Sequence, residues 1–540
     1  MMRFLALGLV ALSCVASVEA APRTLHPWTR PGELRVAMAA EPGSLNPLLQ
    51  LNDYENFVTR LAFDQLVTVD ADGKTLVPRL AAVVPTLENG GIARDGRTIT
   101  WHLRHDVRWH DGVAFTSRDV KYSFAAILDP THNVPNRRGF DLIRSVETPD
   151  PYTVIVRMRE PFAPAVTWFF GDGSQYAIVP AHVLTRAVDF NRAEFNAAPI
   201  GTGPFRLVRW LRGQELDYER FDGYYGGRPK LAKITVRFVP DEGTIVNLLR
   251  THEIDAATLL TAPAYGRARG IPGLAFTSTP IHGAVNVLMN TTHGALRDSR
   301  VRRAIALAID KRSLIAKLTF GTGTVASSNL PDFMWAHDPT LRPIPFDPER
   351  ARTLLREAGY ASQGGGIVAK DGAPLSLGLA YTIASAMDRT AVVQIQSYLR
   401  AVGIDVEPKG YDEKQIYGGY AAGGIFQRGR FDLALYGMSL GIDPDTSGRF
   451  ACASIPPNGQ NYSRYCNAEV DRAERAGLAT FDRGARARAY AIVQRRLLAD
   501  VPLAFLWYPT NIDAYDDDLR GFRPNPVAAS WNSEAWTTSP

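Results

Sequence analysis

Arg137 and Arg138, beside Phe140, offer the planar fork that pairs bidentately with a carboxylate. His102, His105 and His110 lie near Asp106 and Asp111, a donor set that suits a metal ion only if the side chains converge. Residues 97–104 alternate as a half-buried strand, however, so His102 and His105, an odd number apart, point to opposite faces. No metal is expected there. Gly201-Thr202-Gly203-Pro204 looks like a phosphate loop, but it lacks the Lys-Ser/Thr pair and does not open a helix. HExxH is absent, and no catalytic residue, enzyme activity or cofactor is expected.

The stretch from Phe431 to Cys466 is the most suggestive. Phe431, Leu433 and Leu435 alternate, which predicts a strand with one buried face. Gly437 and Gly441 permit sharp bends, and Asp443-Pro444-Asp445 is a turn signal. Cys452 and Cys466 follow, either side of a polar loop. A buried strand running into a tethered Gly-rich turn places small groups at a cleft; a plain surface hairpin is the competing reading.

These groups must be carried by several domains, because 540 residues exceed one hydrophobic core. The net charge of +5 is spread along the chain without a run of five like charges, so no nucleic-acid partner is expected. Met1-Met2-Arg3, an apolar run from Phe4 to Leu12 and a small-residue site at Val18-Glu19-Ala20 read as a secretory signal over residues 1–20. Lipidation of Cys14 is the disfavoured alternative, since Ala11 stands where a larger aliphatic residue is usual. Export leaves two cysteines in an oxidising compartment, which predicts a Cys452–Cys466 disulfide over two reduced thiols. Strands such as 34–38, 152–158 and 285–289 alternate with helices such as 52–66, 298–309 and 391–402, which predicts mixed α/β domains. Thr116 is placed to cap a helix containing Val120 and Phe124.

Seven segments, in order, resemble the periplasmic solute-binding proteins of the oligopeptide, dipeptide and nickel class, family 5. They are EPGSLNP (41–47), DQLVTVDADGK (64–74), RWHDGVAFTSRDVKYSF (108–124), GTGPFRL (201–207), LMNTTHGALRDSRVRRAIALAID (288–310), FDLALYGMSLGIDPD (431–445) and NYSRYCNAEVD (461–471). The resemblance implies an α/β, periplasmic-binding-protein-like fold of three lobes closing over a central cleft. Domain I would comprise residues 21–63, 200–279 and 507–540, with domain II (64–199) inserted and domain III at 280–506. Crossovers are expected near Thr279-Pro280 and Leu506-Trp507.

By position in that family, solute contacts fall at Asn52, Asp53 and Tyr54, near Tyr411, and at Tyr436, Gly437, Met438 and Ser439 with Asp443. Arg138 is a further candidate for a ligand carboxylate. Asn52, Asp53 and Asp443 also have a plain reading as helix-cap and turn residues, and Tyr411 as core. Many peptide-binding members carry a tryptophan after the glycine matching Gly437, and a few residues on an aspartate for the ligand's α-amine. Here Met438 replaces the tryptophan, and Leu440-Gly441-Ile442 lies where the aspartate is expected. The resemblance implies a monomeric periplasmic receptor that delivers a peptide or peptide-like solute to the permease of an ATP-binding-cassette importer. The missing aspartate keeps a sugar, an opine or a chelated metal open as the solute; a secreted hydrolase and an exported scaffold are the remaining alternatives.

Overall fold

The computed structural model describes residues 24–50, 52–362 and 366–539; the expected leader and Cys14 lie outside them. Strand Glu33–Met38 is buried at nearly every position, as a central parallel strand must be. It pairs in parallel with Lys233–Phe238 on one side and Ala256–Ala257 on the other. These belong to a seven-stranded sheet whose remaining strands are Phe205–Leu211, Glu215–Arg220, Leu274–Pro280 and Thr510–Asp516. Leu34, Val36 and Met38 face one core, and Ala37 faces the other with Ile245 and Leu249.

A three-stranded sheet (Thr98–His102, Thr153–Met158, Ile143–Asp150) and the helix Ser117–Leu128 form a smaller lobe. Thr116 caps that helix in a capping box with Asp119. Trp101, Phe124 and Phe140 join the same continuous core as Leu34 and Val36, so this lobe is fused to the first sheet.

The six-stranded sheet runs Thr324–Val325, Leu503–Tyr508, Gly283–Met289, Leu433–Ser439, Ser376–Thr382, Asp405–Tyr411. One buried face was expected for the 431–435 segment, but the strand buries both. Leu433 and Leu435 pack with Val287 and Met289, while Ala434, Tyr436 and Met438 pack with Ala284 and Leu288. The second core is built from small and aromatic residues at the alternate positions, which a count of aliphatic residues misses.

Leu274–Pro280 pairs with Thr510–Asp516 in the first sheet, and Gly283–Met289 pairs with Leu503–Tyr508 in the second. The chain therefore passes between sheets at Ile281-His282 and returns at Pro509. The return lies beyond Trp507 because Leu503–Tyr508 is buried along its whole length and stays in the second sheet. The two passages lie side by side, with Ile281 N donating to Pro509 O at 3.2 Å. Two adjacent extended segments are the construction expected of a hinge.

The Gly201-Thr202-Gly203 segment has a packing role. A Cβ on Gly201 would stand 1.7 Å from Ala62 O, so only glycine lets the loop lie on the end of helix Asp53–Ala62. His110 clamps the loop, accepting from Gly201 N at 3.2 Å and donating to Gly203 O at 3.0 Å. Burial pushes its imidazole down to about 4, so it stays neutral. His105 instead stacks on Tyr152 and His102 is exposed, both on a surface recess that His110 does not share.

Cys452 and Cys466 form a disulfide. Closing a loop of this length stabilises the fold by about 3 kcal/mol in the chain-entropy picture. Among the described residues no helix is long and apolar enough to cross a membrane.

Candidate functional site

The smaller lobe meets the six-stranded lobe across a cleft whose base is the hinge. Ala163 N donates to Leu478 O at 3.0 Å across it. Arg138 pairs with Asp445 and donates to Ser447 Oγ at 2.9 Å. The two lobes are thus engaged over the cleft.

Two cavities share its walls. One, of about 300 Å³, takes Asp53 from the start of helix Asp53–Ala62, Trp168 and Gln175 from the smaller lobe, Ser439 and Arg449 from the third, and Asn511 beside the hinge. The other, of about 680 Å³, shares Trp168, Ser439, Gly441 and Arg449 and extends to Arg138 and Gln460. Both fall within the range of small-molecule sites.

Of the expected site residues, Asp53 and Ser439 line the smaller cavity. Burial raises the Asp53 carboxyl, opposed by a hydrogen bond with Gln175. Asn52 caps the helix, its Oδ1 accepting from Glu55 N at 3.0 Å. Tyr54 packs against the first core, and Tyr411 packs against the core around Tyr436; neither lines these two cavities. Met438 is buried in the core while Gly437 is exposed with nothing in front of it. The Tyr436 hydroxyl accepts from Arg449 Nη1 at 2.7 Å.

Asp443 borders the larger cavity but is committed to the protein. Arg486 Nη2 donates to its Oδ1 at 2.6 Å, and Asp445 N donates to the same oxygen at 3.1 Å. Arg138 is likewise held by Asp445 rather than left bare. Sequence reasoning missed Arg449, Trp168 and Gln175. Arg449 sits in a single helical turn, Ser447–Phe450, with no motif to mark it.

Behind the turn, Glu474 is buried and accepts from Thr446 Oγ1 at 2.5 Å. Its Oε2 has no hydrogen-bond partner among the described residues. Burial, reinforced by the charge of Asp445, pushes its carboxyl up to about 8. A carboxyl with a raised folded pKa stabilises the fold below its unfolded value, here 4.5, and loses that contribution as pH rises through about 8. Glu474→Gln, always neutral, is expected to match wild type near pH 4.5 and to exceed it above pH 8 by about 1–3 kcal/mol. Urea unfolding at both pH values checks this; a difference that does not change with pH contradicts it.

A hinged pair of lobes with a polar cleft between them defines a solute-binding receptor. Residues 75–454 match the family of bacterial extracellular solute-binding proteins, family 5 (middle region), and the chain belongs to it. It is similar to the oligopeptide-binding protein AppA of Bacillus subtilis, 26% identical over 522 residues covering 94% of this chain and 91% of that protein. The structure of that AppA in complex with a nonapeptide superposes with a TM-score of 0.74 at 25% identity, covering 94% of this chain and 99% of the other. Protein XP55 of Streptomyces lividans is 30% identical over 484 residues, covering 88% of this chain and 83% of its own. NikA from Brucella suis in complex with Fe(III)-EDTA gives a TM-score of 0.80 at 26% identity, covering 94% of this chain and 99% of that one. The three-lobed fold implied by the resemblance is therefore the fold of this chain, and its role is that of the substrate-binding protein of an ATP-binding-cassette importer.

Proposed function

We propose that the cleft captures a peptide or peptide-like solute in the periplasm, after removal of residues 1–20, and presents it to an inner-membrane permease. The chain itself performs no chemistry. Closure rotates domain III (280–506) against domains I (21–63, 200–279, 507–540) and II (64–199) about the paired passages at Ile281-His282 and Pro509. Membership of the sheets supports this division except at its edges, where Pro280 stays with the first sheet and Trp507-Tyr508 with the second.

One observation carries the peptide reading. Strand Leu433–Ser439 pairs with Gly283–Met289 along its full length, but with Ser376–Thr382 only at Leu433 and Ala434. Beyond Ala434 that second edge has no strand partner among the described residues, and it leads to Ser439, which lines the cavities and whose carbonyl oxygen accepts from Arg449 Nη2. An extended ligand can add there by main-chain pairing, which is indifferent to side chains. The AppA relative, in complex with a nonapeptide, is consistent with this.

The commitment of Asp443 to Arg486 favours a second reading, a non-peptide solute with no amine to be bound at that turn. The NikA relative holds Fe(III)-EDTA. A thermal-shift screen of peptides, sugars and metal chelates separates the two. A bound solute at ~100 times its Kd should stabilise the protein by about 2.7 kcal/mol. Peptides are expected to give that shift; stabilisation by chelates alone would transfer the assignment to the second reading.

A further inference from the structure

The charged groups lining the two cavities divide into those neutralised by the protein and those that are not. Asp443 is held by Arg486, Arg138 and Asp445 hold each other, and Asp172 is held by Arg60. Two charges remain. Arg449 and Asp53 both line the smaller cavity, and neither has an ion-pair partner among the described residues. Arg449 comes from the third lobe, and Asp53 starts a helix of the first.

Arg449 is held in place by neutral acceptors. Nη1 donates to the Tyr436 hydroxyl at 2.7 Å and to Gln460 Oε1 at 3.1 Å, and Nη2 donates to Ser439 O at 2.5 Å. A guanidinium has five N–H donors. Nε and one hydrogen of Nη2 are therefore unengaged among the described residues and are free to donate to a carboxylate. The three neutral contacts orient the group without cancelling its charge.

We infer that Arg449 is the anion anchor of this site: the solute carries a carboxylate that seats on Arg449, and its cationic end, where it has one, faces Asp53. This rests on the receptor reading above and names the chemical class of its solute. The polarity follows from the chain's own ion pairs. The turn at 437–449 has spent its acids on Arg486 and Arg138 and presents a cation to the cleft.

The test uses a mixed tripeptide library with free termini, the same library amidated at the C-terminus or acetylated at the N-terminus, and a set of non-peptide polycarboxylate chelates. Binding to the full-length mature protein is measured by calorimetry. Amidation is expected to weaken binding 10- to 100-fold, the span of a charge-assisted hydrogen bond. Arg449→Met should bind acid and amide alike, and Arg449→Lys, which keeps the charge but not the fork, should fall between. Acetylation should weaken binding to wild type but not to Asp53→Asn. Amides that bind wild type as tightly as acids would overturn the anchor while leaving the peptide reading intact. Chelates that bind alone, and weaken with Arg449→Met, would uphold the anchor and overturn the peptide reading. A flat response to every set overturns both. The acid-against-amide comparison on wild type holds even if a variant misfolds.

Discussion

Replacing Arg486 with methionine is expected to destabilise the protein by about 3–5 kcal/mol, the effect of leaving one partner of a buried ion pair alone. Arg486 and Asp443 have side-chain exposures of 8% and 7%, so little water reaches the pair. Burial is the largest single effect and disfavours the charged arginine, yet the charge and hydrogen bond of Asp443, with those of Tyr490, together outweigh it and hold the guanidinium above its ordinary range. Arg486 Nε also donates to Gly477 O at 2.9 Å, a contact methionine cannot make. Asp443→Asn combined with Arg486→Met removes both charges and should recover more than half of the loss. Urea unfolding of the two single variants and the double variant closes the cycle. A single-variant loss below about 1 kcal/mol would mean that Asp443 is hydrated from the cavity it borders. The pair also decides a functional point. Since Asp443 serves Arg486, Asp443→Asn should lower stability while leaving the preference for free over acetylated amines unchanged.

What the sequence discloses depends on how local the interaction is. The Thr116 cap is legible because its partner, Asp119, lies three residues on. The disulfide is legible because setting aside the expected leader over residues 1–20 leaves two cysteines. Parity separates Met438 from Gly437 and Ser439: with Leu433 and Leu435 on one face, residues 437 and 439 share that face and 438 takes the other. The binding face of the strand is thus written in its alternation once the strand's extent is known. The ion pairs are not written anywhere. Arg486 lies 43 residues from Asp443, and Arg138 lies 307 residues from Asp445, so no spacing rule connects them. Which acids of the turn are free for a solute is consequently a tertiary property. Arg449 is the counterpart: in Ser447-Gly448-Arg449-Phe450 it reads as an ordinary surface residue, and only its neutral partners distinguish it.

Arg60→Met should be as damaging, about 3–5 kcal/mol, and for a reason that reaches the solute. Arg60 lies in helix Asp53–Ala62 and pairs with Asp172; their side-chain exposures are 5% and 0%. Burial pushes the guanidinium down to about 9, with Asp64 opposing and Arg79 adding to the shift, so it remains charged at neutral pH. Asp172 Oδ2 also accepts from Thr68 Oγ1 at 2.8 Å and Val69 N at 2.6 Å, so the carboxylate ties the helix to the neighbouring strand. Methionine would leave it with two hydrogen bonds and no cation. Asp172 lines the solute cavity next to Gly173, Ser174 and Gln175, and Gln175 is the hydrogen-bond partner of Asp53. Disturbing Asp172 should therefore weaken solute binding as well as the fold, whereas Arg486→Met acts behind the turn, at the opposite wall. Arg60→Met with Asp172→Asn should restore most of the stability by urea unfolding. If the single variant loses less than about 1 kcal/mol, water from the cavity reaches Asp172, and the floor of the site is wet rather than sealed.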